Sequence, residues 1–380
     1  MRPQRNFQPS HNPAPGAPVR VALVGPLPPP SGGMANQTRQ LARLLADTGL
    51  AVETVQVNPP YRPAWIGRVR AVRAAFRLIP YLVRLWRAAG RADLMHVMAN
   101  SGWAWHLFAA PAVWIAWLRG VPAVVNYRGG EAEEFFARSF ARVRPTLARA
   151  AAVVVPSGFL AGVFSRRGVA TVIVPNVVDL ERFRPAQRRA EGGPHLIVTR
   201  NLEDLYDIPT ALRAFGEVRK SYPDARLSVA GSGPRRQELE ALARELGIAG
   251  AVRFTGRLDN ERMAELYREA DLMLNPSLAD NMPISLLEAM ASDVPIVSTW
   301  VGGVPFLVKD GEEALLVPPG DAAAMAAAAL RLLGDPALAD ALRRAGREKV
   351  RQFTWDRVRP RLLDVYARVL GRRDLEAVSP

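Results

Sequence analysis

Short apolar segments alternate with helical patterns along almost the whole chain, and this alternation limits the possible folds more than any other feature. Residues 19–24 are a mostly apolar run typical of a buried strand, a Gly/Pro-rich turn covers 25–33, and a helix is predicted over 34–47. A strand, a glycine-bearing turn and a helix in this order open the doubly wound nucleotide-type fold. The alternation predicts a parallel sheet with helices on both faces. Further strands are predicted over 51–57, 94–97, 123–127 and 152–155.

The pattern restarts in the second half, which predicts a second unit of the same kind. A strand over 195–199 precedes a helix over 207–221, and a strand over 226–230 leads through a glycine turn into another helix. A length of 380 residues also favours two domains over one. We therefore expect a tail over 1–18, domains over 19–187 and 188–352, a C-terminal helix over 353–372 and a tail over 373–380.

The residue types that are missing exclude several classes of function. There is no cysteine, which excludes a disulfide scaffold, a thiolate metal site and a cysteine nucleophile. The four histidines are scattered without a His-x-x-x-His pair, so no metal site is predicted. Residues 1–18 are polar and Pro-rich, without an apolar stretch for a signal peptidase, which predicts a cytosolic protein. The apolar segment Ala104–Leu118 is shorter than the roughly 20 residues of a membrane span, and we predict a buried helix.

Positive charge is concentrated in the first half, where residues 1–190 hold 25 arginines and eight acidic residues. Residues 62–91 hold eight arginines and no acid, and apolar residues recur there at spacings of four and three. This predicts an amphipathic basic helix, or two if Pro80 splits it. Trp and Arg together favour an anionic membrane surface as its partner, and no motif indicates nucleic acid. The alternative is an ordinary helix that packs its apolar stripe on the first domain.

Three loops follow predicted strands, at the edge where open α/β sheets bind ligands. Gly32-Gly33 opens a helix and suits an anion, or else forms a tight turn. Its spacing matches neither a P-loop nor G-x-G-x-x-G, which disfavours a kinase or a nicotinamide enzyme. Thr199-Arg200-Asn201 offers an arginine to a phosphate, or else to a surface salt bridge. Gly231-Ser232-Gly233-Pro234 cradles a nucleotide or simply turns the chain.

The segment from Asn275 to Met290 carries the densest set of signals. A strand ends, a loop crosses, and a helix begins near Pro283, a residue that favours the first helical turn. Asp280 in the loop and Glu288 one turn into the helix can face one cleft. Alternatively, Asp280 and Asn281 cap the helix and Glu288 is solvated. The apolar residues around Glu288 argue instead for a carboxylate that has a partner.

Together these motifs resemble the retaining family 4 glycosyltransferases of the GT-B fold, the glycosyl transferases group 1. The resemblance implies two Rossmann-like, doubly wound parallel-sheet domains facing a central cleft, with the C-terminal helix crossing back to the first domain. It implies that the second domain holds a UDP- or GDP-sugar and the first domain an acceptor. The matching segments are Gly32-Gly33, Val174-Pro-Asn176-Val-Val-Asp179, Ala230-Gly-Ser-Gly-Pro234, Val252-Arg-Phe-Thr-Gly256, Asp280-Asn-Met-Pro-Ile-Ser-Leu-Leu-Glu288, Val301-Gly-Gly303 and Leu316-Val-Pro-Pro-Gly-Asp321.

The resemblance also implies roles for individual residues. Arg200 should bind the diphosphate, Glu288 the ribose, and Asp280 should approach the donor sugar. The expected catalytic residues are Asp280, Arg128 and Arg200, with no metal and no cofactor. The expected donor-binding residues are Gly32, Gly33, Arg200, Asn201, Gly231, Arg257, Leu258, Asp280, Asn281, Met282, Pro283, Ile284, Ser285 and Glu288.

Two positions depart from the family pattern. Tyr206 and Asp207 stand where the family usually has Lys-Gly, so the diphosphate loses one cation. Arg128 stands where the family often has a histidine; it can stabilise charge but cannot act as a general base. The sequence has no Asp-x-Asp motif for a metal. Retention by front-face attack and retention through Asp280 as a nucleophile both stay open.

The leading hypothesis is a metal-independent, retaining hexosyltransferase that builds a cell-surface polysaccharide or glycolipid on a lipid-linked or saccharide acceptor. It would work peripherally at the inner face of the plasma membrane. One alternative is a soluble glycosyltransferase with a small acceptor, which would not need a basic helix. The other is a non-catalytic nucleotide-sugar-binding protein. The departure at Tyr206 favours it, as does Asp280, which stands where the family usually has a glutamate.

Overall fold

The computed structural model of the protein describes residues 18–29, 32–60, 70–186, 192–372 and 375. The chain divides into two compact units, the first up to Val174 and again from Arg359 onward, the second from Pro175 to Val358. Each unit holds one six-stranded sheet in which all pairings between neighbouring strands are parallel. The predicted class, two parallel-sheet α/β units, is confirmed.

The first unit has the strand order β2-β1-β3-β4-β5-β6. Its strands are β1 Arg20–Gly25, β2 Ala51–Gln56, β3 Leu94–Ala99, β4 Ala123–Tyr127, β5 Ala152–Val155 and β6 Val172–Ile173. Its helices between them are α1 Gly33–Asp47, α2 Arg70–Ala89, α3 Ala110–Leu118, α4 Ala132–Leu147 and α5 Gly158–Ser165.

The second unit has the strand order β12-β11-β10-β7-β8-β9. Its strands are β7 His195–Val198, β8 Arg226–Ala230, β9 Val252–Gly256, β10 Leu272–Asn275, β11 Ile296–Thr299 and β12 Leu315–Val317. Its helices are α6 Ile208–Ser221, α7 Arg236–Glu245, α8 Asn260–Arg268, α9 Ile284–Ala291, α10 Val304–Leu307, α11 Ala322–Gly334 and α12 Pro336–Val350.

Each sheet has one point where the strand order reverses direction. In the first sheet this point lies between β1 and β3, and in the second it lies between β7 and β10. Open α/β sheets bind ligands in the crevice outside the carboxyl ends of the strands at such a point. The loops that follow β1, β3, β7 and β10 are therefore the places to look for function.

Both cores form because the central strands are covered on two faces. Every residue of β3, β4, β7 and β10 is buried, which explains why these strands read as continuous apolar runs rather than alternating ones. In the first unit, Tyr127, Phe136 and Phe164 pack as an aromatic cluster with ring centroids 4.9–5.3 Å apart.

The last helix, α13 Trp355–Leu370, begins in the second unit, and its residues from Arg359 belong to the first. Leu362, Leu363 and Tyr366 are buried there, and the Tyr366 hydroxyl lies 2.7 Å from Nδ1 of His96 on β3. The expected return of the C-terminal helix to the first domain is confirmed.

Residues 175–186 lie in the second unit, although the sequence analysis assigned them to the first domain. The reason is local packing. The Val178 amide donates to the Phe353 carbonyl at 3.0 Å, and the Phe183 ring packs edge-on against Tyr267 at 5.7 Å. A predicted boundary based on polar composition missed these contacts, which involve residues distant in sequence.

Two helices differ in detail from expectation. Helix α2 is continuous over Arg70–Ala89 with Pro80 inside it, so the proline does not split it; residues 62–69 of the predicted basic stretch lie outside the described residues. The predicted helix over 104–118 begins with a π-helical segment, Trp105–Ala109, before α3. In the described ranges, no single helix is long and apolar enough to cross a membrane. Two helical segments, Ala322–Gly334 and Pro336–Leu370, are long and apolar enough only when taken together, and the chain bends by 98° between them.

Candidate functional site

Arg200, Asn275 and Asp280 meet at the reversal point of the second sheet. We call this group the arginine clamp. Arg200 follows β7, and Asn275 ends the neighbouring strand β10. Arg200 Nε donates to Asn275 Oδ1 at 2.8 Å, and Arg200 Nη2 forms an ion pair with Asp280 Oδ2. The two charged side chains are only 10% and 13% exposed. The surface salt bridge considered for Arg200 is therefore wrong, because its partner is Asp280 inside the candidate site.

The Asp280 carboxylate is engaged through both oxygens, since Oδ1 accepts from the Asn281 amide at 2.9 Å. Burial raises the pKa of Asp280, and the charge of Arg200 and the Asn281 amide oppose that rise. Two glycines hold the loop in place: a Cβ on Gly302 would lie 2.1 Å from the Asp280 carbonyl oxygen, and one on Gly303 1.6 Å from that of Asn281. Only bare backbone fits there, which gives Val301-Gly-Gly303 a structural role.

The glycine turn after β8 packs against the backbone of Arg200 and Leu202. A Cβ on Gly231 would lie 1.9 Å from the Arg200 carbonyl oxygen, and one on Gly233 2.2 Å from that of Leu202. The Gly231 amide donates to the Gly256 carbonyl at 2.9 Å. Gly231 thus lies beside Arg200, and its amide is already used within the fold.

Glu288 lies one turn into α9 and is half-buried. Burial raises its pKa to about 7, while a hydrogen bond from Tyr267 and the charge of Arg200 act in the opposite direction. The Tyr267 hydroxyl lies 2.7 Å from Thr199 Oγ1 and 3.0 Å from the Ser285 carbonyl oxygen. This buried network connects the end of β7 to the start of α9.

The N-terminus of α9 carries no side-chain cap, because its N-cap residue is Pro283. The alternative, in which Asp280 and Asn281 cap this helix, is wrong. The first amides of a helix have no partner inside it, so those of Ile284 and Ser285 suit an anion. Among the described residues, the Ser285 hydroxyl is buried without a hydrogen-bond partner.

The other predicted donor-binding residues differ in how they are placed. The Met282 side chain is buried in the core, and its carbonyl accepts from Asn176 Nδ2 at 2.8 Å. Asn201 Nδ2 donates to Glu203 at 3.1 Å. Arg257 is exposed, and Leu258 packs against the core of the second unit. The Met282 side chain therefore has a packing role.

Tyr206 and Asp207, which stand where the resemblance implies Lys-Gly, lie in a tight turn. Tyr206 ends a short 3₁₀ turn, and Asp207 adopts the left-handed conformation, with φ 39° and ψ 47°. Glycine adopts this conformation most readily, so position 207 would also suit a glycine. The Tyr206 ring centroid lies 5.3 Å from Arg200 Cζ.

In the first unit, the predicted residues lie in two loops at the carboxyl edge of the sheet, one after β1 and one after β4. Gly32 is the N-cap of α1, and a Cβ on Gly32 or Gly33 would meet no atom within 4 Å. Arg128 follows β4; its Nε donates to Asn126 Oδ1 at 3.0 Å and its Nη1 pairs with Gln37 Oε1 on α1. Burial lowers the pKa of Arg128 to about 10, so it stays cationic at neutral pH.

A buried histidine, His96, is linked to Arg128 through the side chain of Asn126. The Asn126 Nδ2 donates to His96 Nε2 at 2.9 Å, so a neutral His96 carries its proton on Nδ1 and donates to the Tyr366 hydroxyl at 2.7 Å. Burial is the main cause that lowers the pKa of His96 to about 3. His96 is a neutral structural link, and the sequence analysis did not single it out.

Asn275, Tyr267 and Gln37 also contact the site, although they were not among the predicted residues. Asn275 had a usable signal, because it ends a buried strand at the carboxyl edge. Tyr267 and Gln37 lie inside ordinary helical patterns that carry no such signal. Across the described ranges, no group of three or more His, Asp or Glu side chains forms a cluster able to hold a metal ion.

Comparison with known proteins identifies the family. Residues 179–349 match the glycosyl transferases group 1, and residues 31–182 match glycosyltransferase family 4. The chain belongs to the family 4 glycosyltransferases. One relative of this glycosyltransferase is the glycogen synthase of Mycobacterium tuberculosis, which is 32% identical over 196 residues, or 51% of this chain and 47% of the relative. Another is the D-inositol 3-phosphate glycosyltransferase of Acidothermus cellulolyticus, which is 36% identical over 225 residues, or 54% of this chain and 50% of the relative. The chain thus spans about half the length of the curated relatives it matches.

Solved structures share the fold with this family 4 chain. The sucrose-phosphate synthase of Thermosynechococcus elongatus matches with a TM-score of 0.73 at 24% identity, covering 93% of this chain and 99% of that structure. The HepE protein of Anabaena, in complex with UDP and glucose, matches with a TM-score of 0.71 at 18% identity, covering 92% and 100%. At these identities the likeness establishes the GT-B fold.

Proposed function

We propose that this chain transfers a sugar from a UDP- or GDP-sugar to a lipid-linked or saccharide acceptor in the synthesis of a cell-surface polysaccharide or glycolipid. The observation that carries the proposal is the Arg200 clamp beside the uncapped N-terminus of α9, at the reversal point of the second sheet. A cation and free helix amides together suit a diphosphate. The names of the relatives, which include glycogen synthase and D-inositol 3-phosphate glycosyltransferase, agree with this reaction class.

The chemistry follows from charge development. When the glycosidic bond to the nucleotide breaks, negative charge builds on the departing diphosphate. Arg200 and the amides of Ile284 and Ser285 are fixed before the reaction and stabilise that charge without reorganising, which is often the largest catalytic contribution. These groups serve a reaction that needs no metal. Arg128 supplies a second fixed cation in the first unit, where we place the acceptor.

We assign retention of configuration by front-face attack, with the leaving phosphate accepting the proton of the acceptor hydroxyl. The state of Asp280 supports this choice over a covalent intermediate. One of its oxygens is paired with Arg200 and the other accepts from the Asn281 amide, and both contacts lower the nucleophilicity of the carboxylate. A β-configured product from an α-configured donor, measured by NMR of the purified product, would contradict retention.

A donor screen tests the proposal without knowledge of the acceptor. Purified protein is melted with UDP, GDP, ADP, CMP and dTDP sugars, with and without EDTA, because a ligand of the folded state raises the melting temperature. We expect one nucleotide class to raise it, unchanged by EDTA, and Arg200→Gln to abolish the shift. Arg219→Gln, on an exposed helix end of the same unit, is the control. No shift with any donor, despite a cooperative melt, would refute the proposal.

A second candidate, a nucleotide-sugar-binding protein without turnover, is favoured by the same ion pair. Asp280, the expected sugar-contacting carboxylate, is held by Arg200, and Tyr206 replaces a cation. The two functions separate when the donor is incubated with membranes of the producing cells. A transferase releases nucleoside diphosphate in step with sugar incorporation, whereas a binding protein releases none.

We also propose that helix α2 attaches the protein to an anionic membrane, such as the inner face of the plasma membrane. Its inner face packs Tyr81, Leu85 and Ala88 into the core. Its outer face leaves Phe76, Ile79, Val83 and Trp86 between 46% and 62% exposed, so about half of each of these apolar side chains stays uncovered. An exposed apolar stripe flanked by arginines is typical of a helix that lies in a lipid interface.

Helix α3 extends the same surface. A groove of about 520 Å³ runs between α2 and α3, lined in part by Trp86 and Trp114. The Arg119 guanidinium lies 4.8 Å from the Trp86 ring, and that of Arg149 lies 3.8 Å from the Trp114 ring. Arginine beside tryptophan suits the boundary between lipid headgroups and acyl chains.

Cosedimentation with vesicles at low salt tests this attachment. The double variant Ile79→Ser, Val83→Ser should bind vesicles of phosphatidylcholine with 30% phosphatidylglycerol at least about tenfold more weakly, since it removes several methyl and methylene groups from the contact. Ile173→Ser, an equally simple change at a residue 40% exposed in the same unit, should have no effect. If wild-type protein ignores the vesicles, the attachment is refuted and a small soluble acceptor is favoured.

A further inference from the structure

The residue that replaces the family lysine contacts the arginine of the clamp. The Tyr206 ring centroid lies 5.3 Å from Arg200 Cζ, within the roughly 6 Å at which a guanidinium and an aromatic face attract each other. Asn275 and Asp280 hold the same guanidinium through its Nε and Nη2. Arg200 therefore has an aromatic contact in addition to its two polar partners.

The backbone fixes the ring in this position. Tyr206 closes a 3₁₀ turn through its amide, which donates to the Glu203 carbonyl at 3.1 Å. The next residue, Asp207, takes the left-handed conformation, which costs a non-glycine residue energy. Asp207 Oδ2 accepts from Thr210 Oγ1 at 2.6 Å, which secures the turn at the start of α6. The ring is thus placed by a rigid turn rather than by a free loop.

A tyrosine cannot replace the charge of a lysine, but it can restrict the arginine. An aromatic face lowers the freedom of a long side chain and excludes water from one side of it, which strengthens its charge-assisted hydrogen bonds to an anion. Arg200 is only 10% exposed, so this effect operates in a poorly hydrated site.

We propose that Tyr206 is a positioning residue for the diphosphate of the donor: its ring holds Arg200 in the orientation that binds the phosphates. The proposal rests on the proposed function and deepens it, because it assigns diphosphate recognition in this chain to an arginine–tyrosine pair instead of an arginine–lysine pair. It concerns the phosphates alone and not the nucleoside.

Calorimetric titration with a nucleoside diphosphate and with its nucleoside tests the proposal. UDP and uridine are the first pair, and GDP and guanosine the second. Tyr206→Leu should weaken binding of the diphosphate about tenfold and leave binding of the nucleoside unchanged, because only the diphosphate engages Arg200. Tyr206→Phe keeps the ring and should bind both ligands as the wild type does.

The outcomes separate the two proposals. If wild-type protein binds neither diphosphate, the proposed function fails. If wild-type protein binds one of them and Tyr206→Leu binds it equally well, only the role of Tyr206 fails. If Tyr206→Leu loses the nucleoside to the same extent as the diphosphate, the ring has a general structural role and the proposal is also overturned. Equal losses in Tyr206→Phe and Tyr206→Leu would assign the effect to the hydroxyl and refute the role of the ring.

Discussion

Replacing Asp280 by asparagine should lower the stability of the protein and raise its affinity for a nucleoside diphosphate. The side chains of Arg200 and Asp280 are 10% and 13% exposed, so the pair is largely withdrawn from water. Asparagine keeps the shape and one oxygen but removes the charge that neutralises Arg200. Because the remaining oxygen still accepts a hydrogen bond, we expect a loss of about 2 kcal/mol, below the cost of fully breaking a buried ion pair.

The gain in affinity has a separate origin. In the wild type, a diphosphate must share Arg200 with a carboxylate and approach that carboxylate's charge. Two unit charges about 8 Å apart at an effective dielectric constant near 20 repel by about 2 kcal/mol. Removing the carboxylate should therefore tighten UDP or GDP binding about tenfold or more. Burial raises the pKa of Asp280, so the calorimetric comparison is repeated at increasing pH, which favours the ionised carboxylate of the wild type.

Asp340→Asn is the matched control, because Asp340 is 57% exposed in an ion pair on the same unit. It should change stability by less than about 0.5 kcal/mol and leave affinity unchanged. For Asp280→Asn, the expected loss lowers the melting temperature by about 4–8 °C. A variant with an unchanged melting temperature and weaker UDP and GDP binding would refute the conclusion that Arg200 holds Asp280.

Two further substitutions test the site. The pKa of Glu288 is raised from 4.5 to about 7, so between these values the folded state holds a proton that the unfolded state releases, and stability falls as pH rises. In thermal melts, the free energy of unfolding of Glu288→Gln should therefore rise relative to that of the wild type between pH 5 and 8, by up to about 3 kcal/mol. A difference in stability that does not depend on pH would contradict this. Gly303→Ala places a Cβ 1.6 Å from the Asn281 carbonyl oxygen, so it should displace the loop and abolish binding of the nucleoside diphosphate in calorimetry. Gly250→Ala, which meets no atom within 4 Å, should bind normally, and normal binding by both variants would show that the loop geometry is unimportant.

The strands could be predicted well because their signal is local. Strands β4, β5 and β8 have the predicted bounds, since each is a short apolar run between turns. The ordered motifs also identified the family. Glu288 could be predicted to have a partner, because a carboxylate among apolar residues needs one.

The ion pair in the site could not be predicted in the same way. Arg200 and Asp280 are 80 positions apart, and they meet because β7 and β10 are neighbours in the second sheet. Strand order depends on packing between segments that are distant in sequence, and local sequence patterns do not encode that packing. The contacts that reserve Gly231 and Gly303 for glycine are likewise visible only in three dimensions.

Hydrogen–deuterium exchange of the protein with its best-binding nucleotide-sugar tests the central claim most directly, because it locates the donor. The account predicts slower exchange at residues 200–202 and at the first turn of α9, and loss of that protection in Arg200→Gln at the same ligand concentration. Saturating ligand that leaves both segments exchanging at the rate of the free protein would place the donor elsewhere and contradict the account.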